Sequence, residues 1–288
     1  MSDVSVIGTG VMGSALVEAF AASGAKVTVW NRTREKAEVL TDSTVHLSES
    51  VAEALVSSPL TIVSVADQEL SRTIVKEAGA DLDGRVLAST SFVTSDQASV
   101  YDAVVRAAGG RYLDLSIPAY PNEVRSSAGV FLLSGDRSAY EAHRERFERI
   151  GRVSTFVDEA PGAAYVSEMA VLLAYLPMAV GLLQGLRICE HHKISMGWFK
   201  EFVLELYPFH IRSLLDRVAE QPDGSARNVE ASVNQWGQTA AEYAEYLREL
   251  RLDPGMYDAL HRLFGAASDA GDGEMDWTCI AEHTHHRG

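Results

Sequence analysis

The sequence predicts an α/β first half followed by an all-helical second half, and three observations support this fold class. Short β-branched runs alternate with helix-length segments through the first half of the 288 residues. A glycine-rich turn joins the first of these runs to the first helix. After Pro161-Gly162 no strand pattern is found, and helical patterns follow. We therefore predict two domains, residues 1–158 and residues 159–288.

The strands predicted in the first domain are apolar runs bounded by Gly, Pro, Asp or Ser. They cover residues 4–7, 26–30, 60–65, 85–89, 112–115 and 129–133, and helices are predicted over residues 11–23 and 34–40. Apolar strands separated by helix-length segments are typical of βαβ units. We therefore expect a parallel sheet that helices cover on both faces.

A long helix predicted over about residues 162–192 joins the two domains, and further helices are predicted near residues 196–220, 228–251 and 254–268. Asp253-Pro254 is a helix-start signal, with proline at the first helical position. The apolar run at residues 169–183 contains Pro177 and is shorter than the roughly 18 to 20 residues that span a bilayer. It is predicted to be a buried core helix, and the tail from Asp269 is predicted to be loose.

Composition excludes several classes of function. Lys and Arg total 25 against 40 Asp and Glu, so the formal charge of −15 disfavours binding to nucleic acids or anionic membranes. Cys189 and Cys279 are too few for a disulfide framework or a four-ligand zinc site, which favours a reduced, cytoplasmic protein. Adjacent histidines such as His191-His192 point in different directions on a helix, so no metal site is expected.

The glycine-rich turn predicts a dinucleotide site. Gly8-Thr9-Gly10-Val11-Met12-Gly13 matches G-x-G-x-x-G directly after the first strand, and it opens the first helix. In this Rossmann-type motif, Gly8 permits the tight turn, Gly10 admits a pyrophosphate, and Gly13 allows close packing of the helix on the strand. The helix N-terminus favours the negative charge.

The end of the second strand predicts which dinucleotide binds. NAD enzymes usually carry Asp or Glu at this point, whereas this chain has Asn31-Arg32-Thr33-Arg34, with Lys36 following. No carboxylate is present to repel a 2′-phosphate, and guanidinium, hydroxyl and amine groups can bind one. NADP(H) is therefore the predicted cofactor. Val65 and Ala66, at the end of the third predicted strand, and Thr90 complete the predicted cofactor site.

The chain resembles the imine reductases and reductive aminases, an NADP-dependent branch of the β-hydroxyacid dehydrogenase superfamily, which is 6-phosphogluconate dehydrogenase-like. The motifs that carry the resemblance run through most of the chain: Val6-Ile7-Gly8-Thr9-Gly10-Val11-Met12-Gly13, Trp30-Asn31-Arg32-Thr33, Tyr112-Leu113-Asp114, Ala119-Tyr120-Pro121, Ser134-Gly135-Asp136 and Gly181-Leu182-Leu183. The resemblance implies a Rossmann domain, a long interdomain helix, and a helical domain that interlocks with a second subunit. A homodimer with an active site shared between subunits is therefore expected.

Position 168 separates the branches of this superfamily. The resemblance places a catalytic lysine of the hydroxyacid branch six residues after Gly162, with an asparagine four residues later. Here Glu168 and Leu172 stand at those positions. Imine reductases usually have Asp, sometimes Tyr, at the first of them, so Glu168 keeps the carboxylate and extends its reach. A carboxylate can stabilise a cationic iminium or donate a proton to it, and the sequence leaves both roles open.

Other pocket candidates rest on weaker signals. Thr90 and Ser91 follow the fourth predicted strand, at the sheet edge where ligands bind, and Ser91 is a catalytic candidate. Tyr175 lies about two helical turns after Glu168 and is a second catalytic candidate. Substrate contacts are expected from residues after the fifth predicted strand, on the long helix and, from a partner subunit, in the helical domain: Tyr120, Asn122, Leu172 and Trp236.

The sequence therefore predicts NADPH-dependent reduction of a C=N bond to an amine. Two alternatives stay open. One is a carbonyl reductase or hydroxyacid-type dehydrogenase with an altered proton donor. The other is a non-catalytic NADP-binding dimer.

Overall fold

The computed structural model describes residues 1–65, 71–73, 76, 82–91, 94–220 and 229–284. It contains two compact units, Met1–Leu176 and Pro177–Gly288. The boundary predicted near residue 158 falls at the end of the last strand, whereas the two units divide later, within the long helix.

The first unit is built on one eight-stranded sheet. Its strands are β1 (Val4–Ile7), β2 (Val27–Trp30), β3 (Val45–Leu47), β4 (Leu60–Val63), β5 (Val86–Ser89), β6 (Arg111–Ser116), β7 (Gly129–Gly135) and β8 (Gly151–Asp158). The strand order is β3-β2-β1-β4-β5-β6-β7-β8. The order reverses at β1, which pairs with both β2 and β4. In open α/β sheets such a reversal forms a crevice outside the carboxyl ends of the strands.

The prediction of a parallel sheet is right for β1 to β6 and wrong for the last two strands. β7 runs antiparallel to β6 and parallel to β8. The chain reverses at a short helix, Pro121–Arg125, and returns beside β6 without a complete crossover. β3 and β8 were not predicted, because β3 has three residues and β8 is a half-exposed edge strand.

Helices cover both faces of this sheet, as predicted. They are α1 (Val11–Ala22), α2 (Arg34–Glu38), α3 (Val51–Val56), α4 (Ser95–Ala107), α5 (Pro121–Arg125) and α6 (Arg137–Ile150). Val6 points to a core that includes Phe20 of α1 and Phe147 of α6. Ile7 points to the opposite core, with Leu55 of α3 and Tyr101 of α4. Alternation along one strand therefore produces both cores.

The long helix α7 spans Ala163–His191, and most of its residues are exposed or half-buried in the single chain. Its mean hydropathy is 1.8 over 18 residues, and none of that window is buried, so by length and composition it could cross a membrane. The prediction that residues 169–183 form a buried core helix is therefore wrong for the chain by itself. An apolar run predicts that a helix needs a covering surface, but not which molecule supplies it.

The described residues of the second unit form helices joined by loops, with one isolated β-bridge between Ser232 and Asp276, and the helices agree with the predicted pattern. It contains the end of α7, then α8 (Met196–Glu220), α9 (Val233–Glu249) and α10 (Gly255–Ala267), with a π-helix at Ser268–Asp272 and a 3-10 helix at Trp277–Thr284. Pro254 is the N-cap of α10, which therefore begins at Gly255, one residue after the predicted start. Val233, Phe264, Ala267 and Cys279 form its core, and both cysteines are free and buried.

The tail from Asp269 was predicted to be loose, and this is wrong as far as Thr284. The buried Asp276 carboxylate accepts hydrogen bonds from the Arg217 guanidinium at 2.9 Å and from the Thr278 hydroxyl at 2.8 Å. The Trp277 amide donates to the Ala231 carbonyl. A buried ion pair and backbone pairing therefore hold this segment, which its glycine and histidine content did not suggest. His285 and His286 lie outside the described residues.

Candidate cofactor and active site

A cavity of about 820 Å³ opens at the carboxyl ends of β1, β4, β5 and β6, within the first unit. Most of the predicted site residues line this cavity: Gly8, Thr9, Gly10, Val11, Met12, Gly13, Asn31, Arg32, Thr33, Lys36, Val65, Thr90, Ser91, Glu168 and Leu172. The structure therefore brings the glycine turn, the cationic segment and the carboxylate into one cavity. Ala66 lies outside the described residues.

The three motif glycines have different surroundings. A Cβ atom at Gly8, whose φ is +96°, would lie 2.2 Å from the Ser64 carbonyl oxygen, and one at Gly13 would lie 2.0 Å from the Gly8 carbonyl oxygen. A Cβ atom at Gly10 would meet nothing within 4 Å. Gly10 is also the N-cap of α1 and supplies no side-chain cap. The first amides of α1 are thus left for an anion, as in dinucleotide-binding turns.

Asn31 connects the glycine turn to the end of β2. Its side-chain oxygen accepts from the Thr9 amide at 3.0 Å, and its side-chain nitrogen donates to the Thr33 carbonyl at 2.8 Å. Arg32 and Lys36 line the cavity next to Asn31, and among the described residues neither forms a salt bridge. Among the residues that the structure describes, the carboxylates that line the cavity are those of Asp114 and Glu168.

Arg34 was grouped with the cationic segment in the sequence, but it does not line the cavity. Its guanidinium donates to both carboxylate oxygens of Glu49, at 2.7 and 3.1 Å. The cation that begins α2 is therefore directed to an exposed ion pair.

Thr9 and Ser91 line the cavity and carry buried hydroxyls. The side-chain oxygens of Thr9 and Ser91 are both buried, and neither has a hydrogen-bond partner among the described residues. Thr90 instead donates to the Ser64 hydroxyl at 3.2 Å. Unpaired buried hydroxyls are costly unless a ligand or water satisfies them. Together with the open α1 amides and the Arg32–Lys36 pair, they fit a phosphate-bearing dinucleotide.

The N-terminus of α7 is fixed on the sheet by two side chains that lie opposite each other on β6 and β7. The Ala164 amide donates to the Ser134 hydroxyl at 3.0 Å, and the Tyr165 amide donates to the Asp114 carboxylate at 3.3 Å. Burial raises the pKa of Asp114 to about 6, although hydrogen bonds from the Tyr165 amide and the Ser134 hydroxyl favour its charged form. The nearby Glu168 charge also raises this pKa.

Glu168 lies on the next turn of α7 and extends into the cavity. The Ser116 hydroxyl, at the end of β6, donates to its Oε2 atom. Beyond Glu168 the same face of α7 becomes an apolar wall, consisting of Met169, Leu172, Leu173 and Leu176. The cavity therefore combines one partly exposed carboxylate with an apolar surface.

Three predicted residues of the first unit do not line the cavity. Tyr175 hydrogen-bonds Tyr120, which raises the pKa of Tyr175, and Tyr120 is 68% exposed at the N-cap of α5. Asn122 is exposed and accepts from Arg125 at 3.3 Å. On a helix with 100° between residues, Leu176 lies nearer than Tyr175 to the centre of the stripe formed by Glu168, Met169, Leu172 and Leu173. The face of α7 that lines the cavity therefore continues with Leu176 and not with Tyr175.

Trp236 lies on α9 in the second unit, with its ring 5.8 Å from that of Trp277. Its predicted contact with substrate requires a second chain, so that role stays a prediction. The described residues contain no group of three or more His, Cys, Asp or Glu side chains that could hold a metal ion.

Two functional side chains were missed from the sequence. Asp114 was noticed as part of a motif without a role, and Ser116 was not noticed. Both belong to β6, and residues two apart on a strand project on the same face. The available signal was their position at the carboxyl end of a strand next to the predicted crevice.

The fold and cavity together are those of a dinucleotide-binding protein. Residues 3–158 match the family described as the NAD binding domain of 6-phosphogluconate dehydrogenase, and the chain belongs to this family. The cytokine-like nuclear factor N-PAC of Homo sapiens is 30% identical over 167 residues, which cover 56% of this chain and 30% of that protein. This chain therefore corresponds to under a third of the length of that relative.

Oxidoreductases are also similar. The NADPH-dependent reductive aminase of Aspergillus oryzae is 24% identical over 188 residues, which cover 65% of this chain and 63% of that protein. The structure of an imine reductase from Myxococcus stipitatus in complex with NADP+ matches with a TM-score of 0.84 and 27% identity, over 98% of this chain and 100% of that one. The resemblance stated from the sequence is confirmed.

Alanine at two of the motif glycines should separate folding from binding. For Gly13→Ala we expect a loss of roughly 2 to 4 kcal/mol in the free energy of unfolding, because the new Cβ overlaps a backbone carbonyl. Gly10→Ala should change it by less than about 0.5 kcal/mol and weaken NADPH binding by at least roughly tenfold, a loss of about 1.4 kcal/mol. Denaturant unfolding and fluorescence titration measure the two quantities. Equal destabilisation by both variants would contradict this assignment.

Proposed function

We propose that this protein is an NADPH-dependent imine reductase. The observation that carries the proposal is the Glu168 carboxylate, which lies in the same cavity as the glycine turn and the Arg32–Lys36 pair. The resemblance to the superfamily implies that a hydroxyacid dehydrogenase would have a lysine at that position. The structural similarity to imine reductases over nearly the whole chain supports the same activity.

The cofactor is proposed to be NADP(H) because of the charges at the end of β2. Arg32, Thr33 and Lys36 would hold the 2′-phosphate, the amides at the start of α1 would hold the pyrophosphate, and the free hydroxyls of Thr9 and Ser91 would satisfy polar groups of the ligand. Bound NADPH supplies the hydride.

The cavity suits a protonated imine as the group that accepts the hydride. A new C–H bond forms at the imine carbon, the C=N π pair becomes the lone pair of nitrogen, and a neutral amine results as the cofactor is oxidised. Positive charge is greatest on the substrate before this step. Glu168 would bind the N–H of that cation and keep the cation oriented within the cavity.

The apolar wall of α7 favours substrates with hydrocarbon rings or chains around the imine. Substrate carboxylates would be disfavoured, because Asp114 and Glu168 both carry negative charge when ionised and repel them. We therefore propose hydrophobic cyclic or secondary imines as the substrate class.

We also propose that two copies of the chain form the working enzyme. Large apolar side chains are exposed along α7 and α8, including Leu176, Leu183, Trp198, Phe209 and Leu215. Monomeric soluble proteins rarely expose contiguous apolar surface on this scale. A two-fold dimer would cover it with the same surface of a second copy.

The cofactor assignment predicts that Arg32→Ala combined with Lys36→Ala weakens NADPH binding by about 10- to 100-fold, since charge-assisted hydrogen bonds contribute roughly 1.5 to 3 kcal/mol. NADH affinity should change by less than about threefold, within roughly 0.7 kcal/mol. Arg34→Ala is the matched control, because that guanidinium is held by Glu49 away from the cavity. Fluorescence titration with both cofactors measures the effect. Equal loss of NADPH and NADH affinity would reject the assignment.

The activity itself is tested with Glu168→Gln. We expect NADPH oxidation with five- to seven-membered cyclic imines to slow by at least about 100-fold, at unchanged NADPH affinity, because the amide cannot balance the iminium charge. Glu190→Gln removes one charge from the exposed end of the same helix and should leave the rate unchanged. Turnover of ketones or keto acids without turnover of imines would instead favour the carbonyl or hydroxyacid alternative. Binding of NADPH without turnover of any of these would favour a non-catalytic dimer.

The dimer is tested by light scattering after size exclusion. The native protein should have twice the mass of one chain, and Leu183→Asp with Leu215→Asp should give single chains, because buried unpaired carboxylates are costly. Val39→Asp, at an exposed apolar position on the first unit, is the control and should leave the mass unchanged. A native protein of single-chain mass, or one recovered only in detergent, would contradict the proposal.

A further inference from the structure

We propose that Ser116 is a positioning residue, which holds one carboxylate oxygen of Glu168 so that the other is presented to the substrate nitrogen. The inference deepens the proposed function and rests on it. Ser116 donates to Glu168 Oε2, whereas no described residue forms a hydrogen bond with Oε1. One oxygen is therefore held by the protein, and the other is available to a ligand.

The support for this arrangement comes from matched spacings on β6 and α7. Asp114 and Ser116 are two residues apart on the strand, so both side chains project on the same face. Tyr165 and Glu168 are three residues apart on the helix and therefore lie one above the other. Asp114 accepts from the Tyr165 amide, and Ser116 donates to the Glu168 side chain. Two successive contacts thus attach the first turns of α7 to one strand.

Ser116 itself is held rigidly. It is 5% exposed and lies in a strand that pairs with β5 on one side and β7 on the other. Glutamate has three side-chain torsions, and a free glutamate at a cavity wall would populate several rotamers. A fixed donor at the end of β6 selects the rotamer that extends into the cavity, and this reduces the entropy lost when substrate binds.

The same hydrogen bond favours a charged acceptor. A hydroxyl that donates to a carboxylate stabilises its ionised form, which is the form that attracts an iminium. Among the described residues, the titratable groups that interact with Glu168 are Asp114 on β6 and Tyr165 on α7. Arg32 and Lys36 line the same cavity. Removal of the Ser116 hydroxyl should therefore leave a less ordered carboxylate.

Kinetics of three serine variants provide the first test. Ser116→Ala should lower kcat for a cyclic imine by about 10- to 100-fold, the range expected for a lost hydrogen bond to a charged group, with NADPH affinity unchanged. Ser116→Thr keeps the hydroxyl and should restore kcat to within a few-fold of the native value. Ser154→Ala is the control, because it removes a strand hydroxyl that lies outside the cavity and has no partner among the described residues.

A double variant separates positioning from a general structural effect. If Ser116 acts through Glu168, Ser116→Ala should add less than about twofold to the loss already caused by Glu168→Gln, because residues that act as a unit are not additive. Losses that multiply in the double variant would overturn the proposal. An unchanged kcat in Ser116→Ala, or a loss that Ser116→Thr does not restore, would overturn it as well.

A readout without turnover distinguishes this inference from the proposed function. In protein labelled with 13C at glutamate carboxyls, the signal absent from Glu168→Gln belongs to Glu168. Its chemical shift should change in Ser116→Ala relative to the native protein, because the carboxylate loses its hydroxyl donor. An unchanged shift would overturn the positioning role even if imines are reduced. A changed shift in a protein that reduces no imine would retain the contact between Ser116 and Glu168 and reject the proposed function.

Discussion

The attachment of α7 to the sheet is the interaction on which the candidate site depends. Asp114 and Ser134, opposite each other on β6 and β7, accept the first amides of the helix. These side chains are buried, and burial raises the pKa of Asp114 to about 6, so the contact is made at an electrostatic cost. The result is that Glu168, on the following turn, enters the cavity at the carboxyl edge of a sheet that also presents the glycine turn.

Much of this was predictable because the signals are local. The glycine turn, the cationic segment after β2 and the carboxylate at position 168 each follow from spacing or resemblance, and all three line one cavity. The alternation of Val6 and Ile7 between two cores is also a local property of a strand. The segments of the cavity that come from one element, or from the turn directly after it, could therefore be predicted from local sequence.

What could not be predicted depends on distant partners. The antiparallel direction of β7, the attachment of the tail through Asp276 and the ion pair that removes Arg34 from the cavity each require residues far apart in sequence. The choice of Leu176 over Tyr175 depends on the rotation of one helix against the sheet. The burial of α7 was predicted for one chain, although its apolar surface is exposed there.

The central claim is that this cavity directs a hydride from NADPH to an imine carbon, and isotope transfer tests it most directly. The protein would be incubated with NADPH deuterated on the transferred position of nicotinamide C4 and a cyclic imine, and the amine examined by mass spectrometry and NMR. The account predicts one deuterium, on the former imine carbon. Recovery of the imine unchanged, or deuterium transfer only to a ketone supplied in parallel, would contradict it.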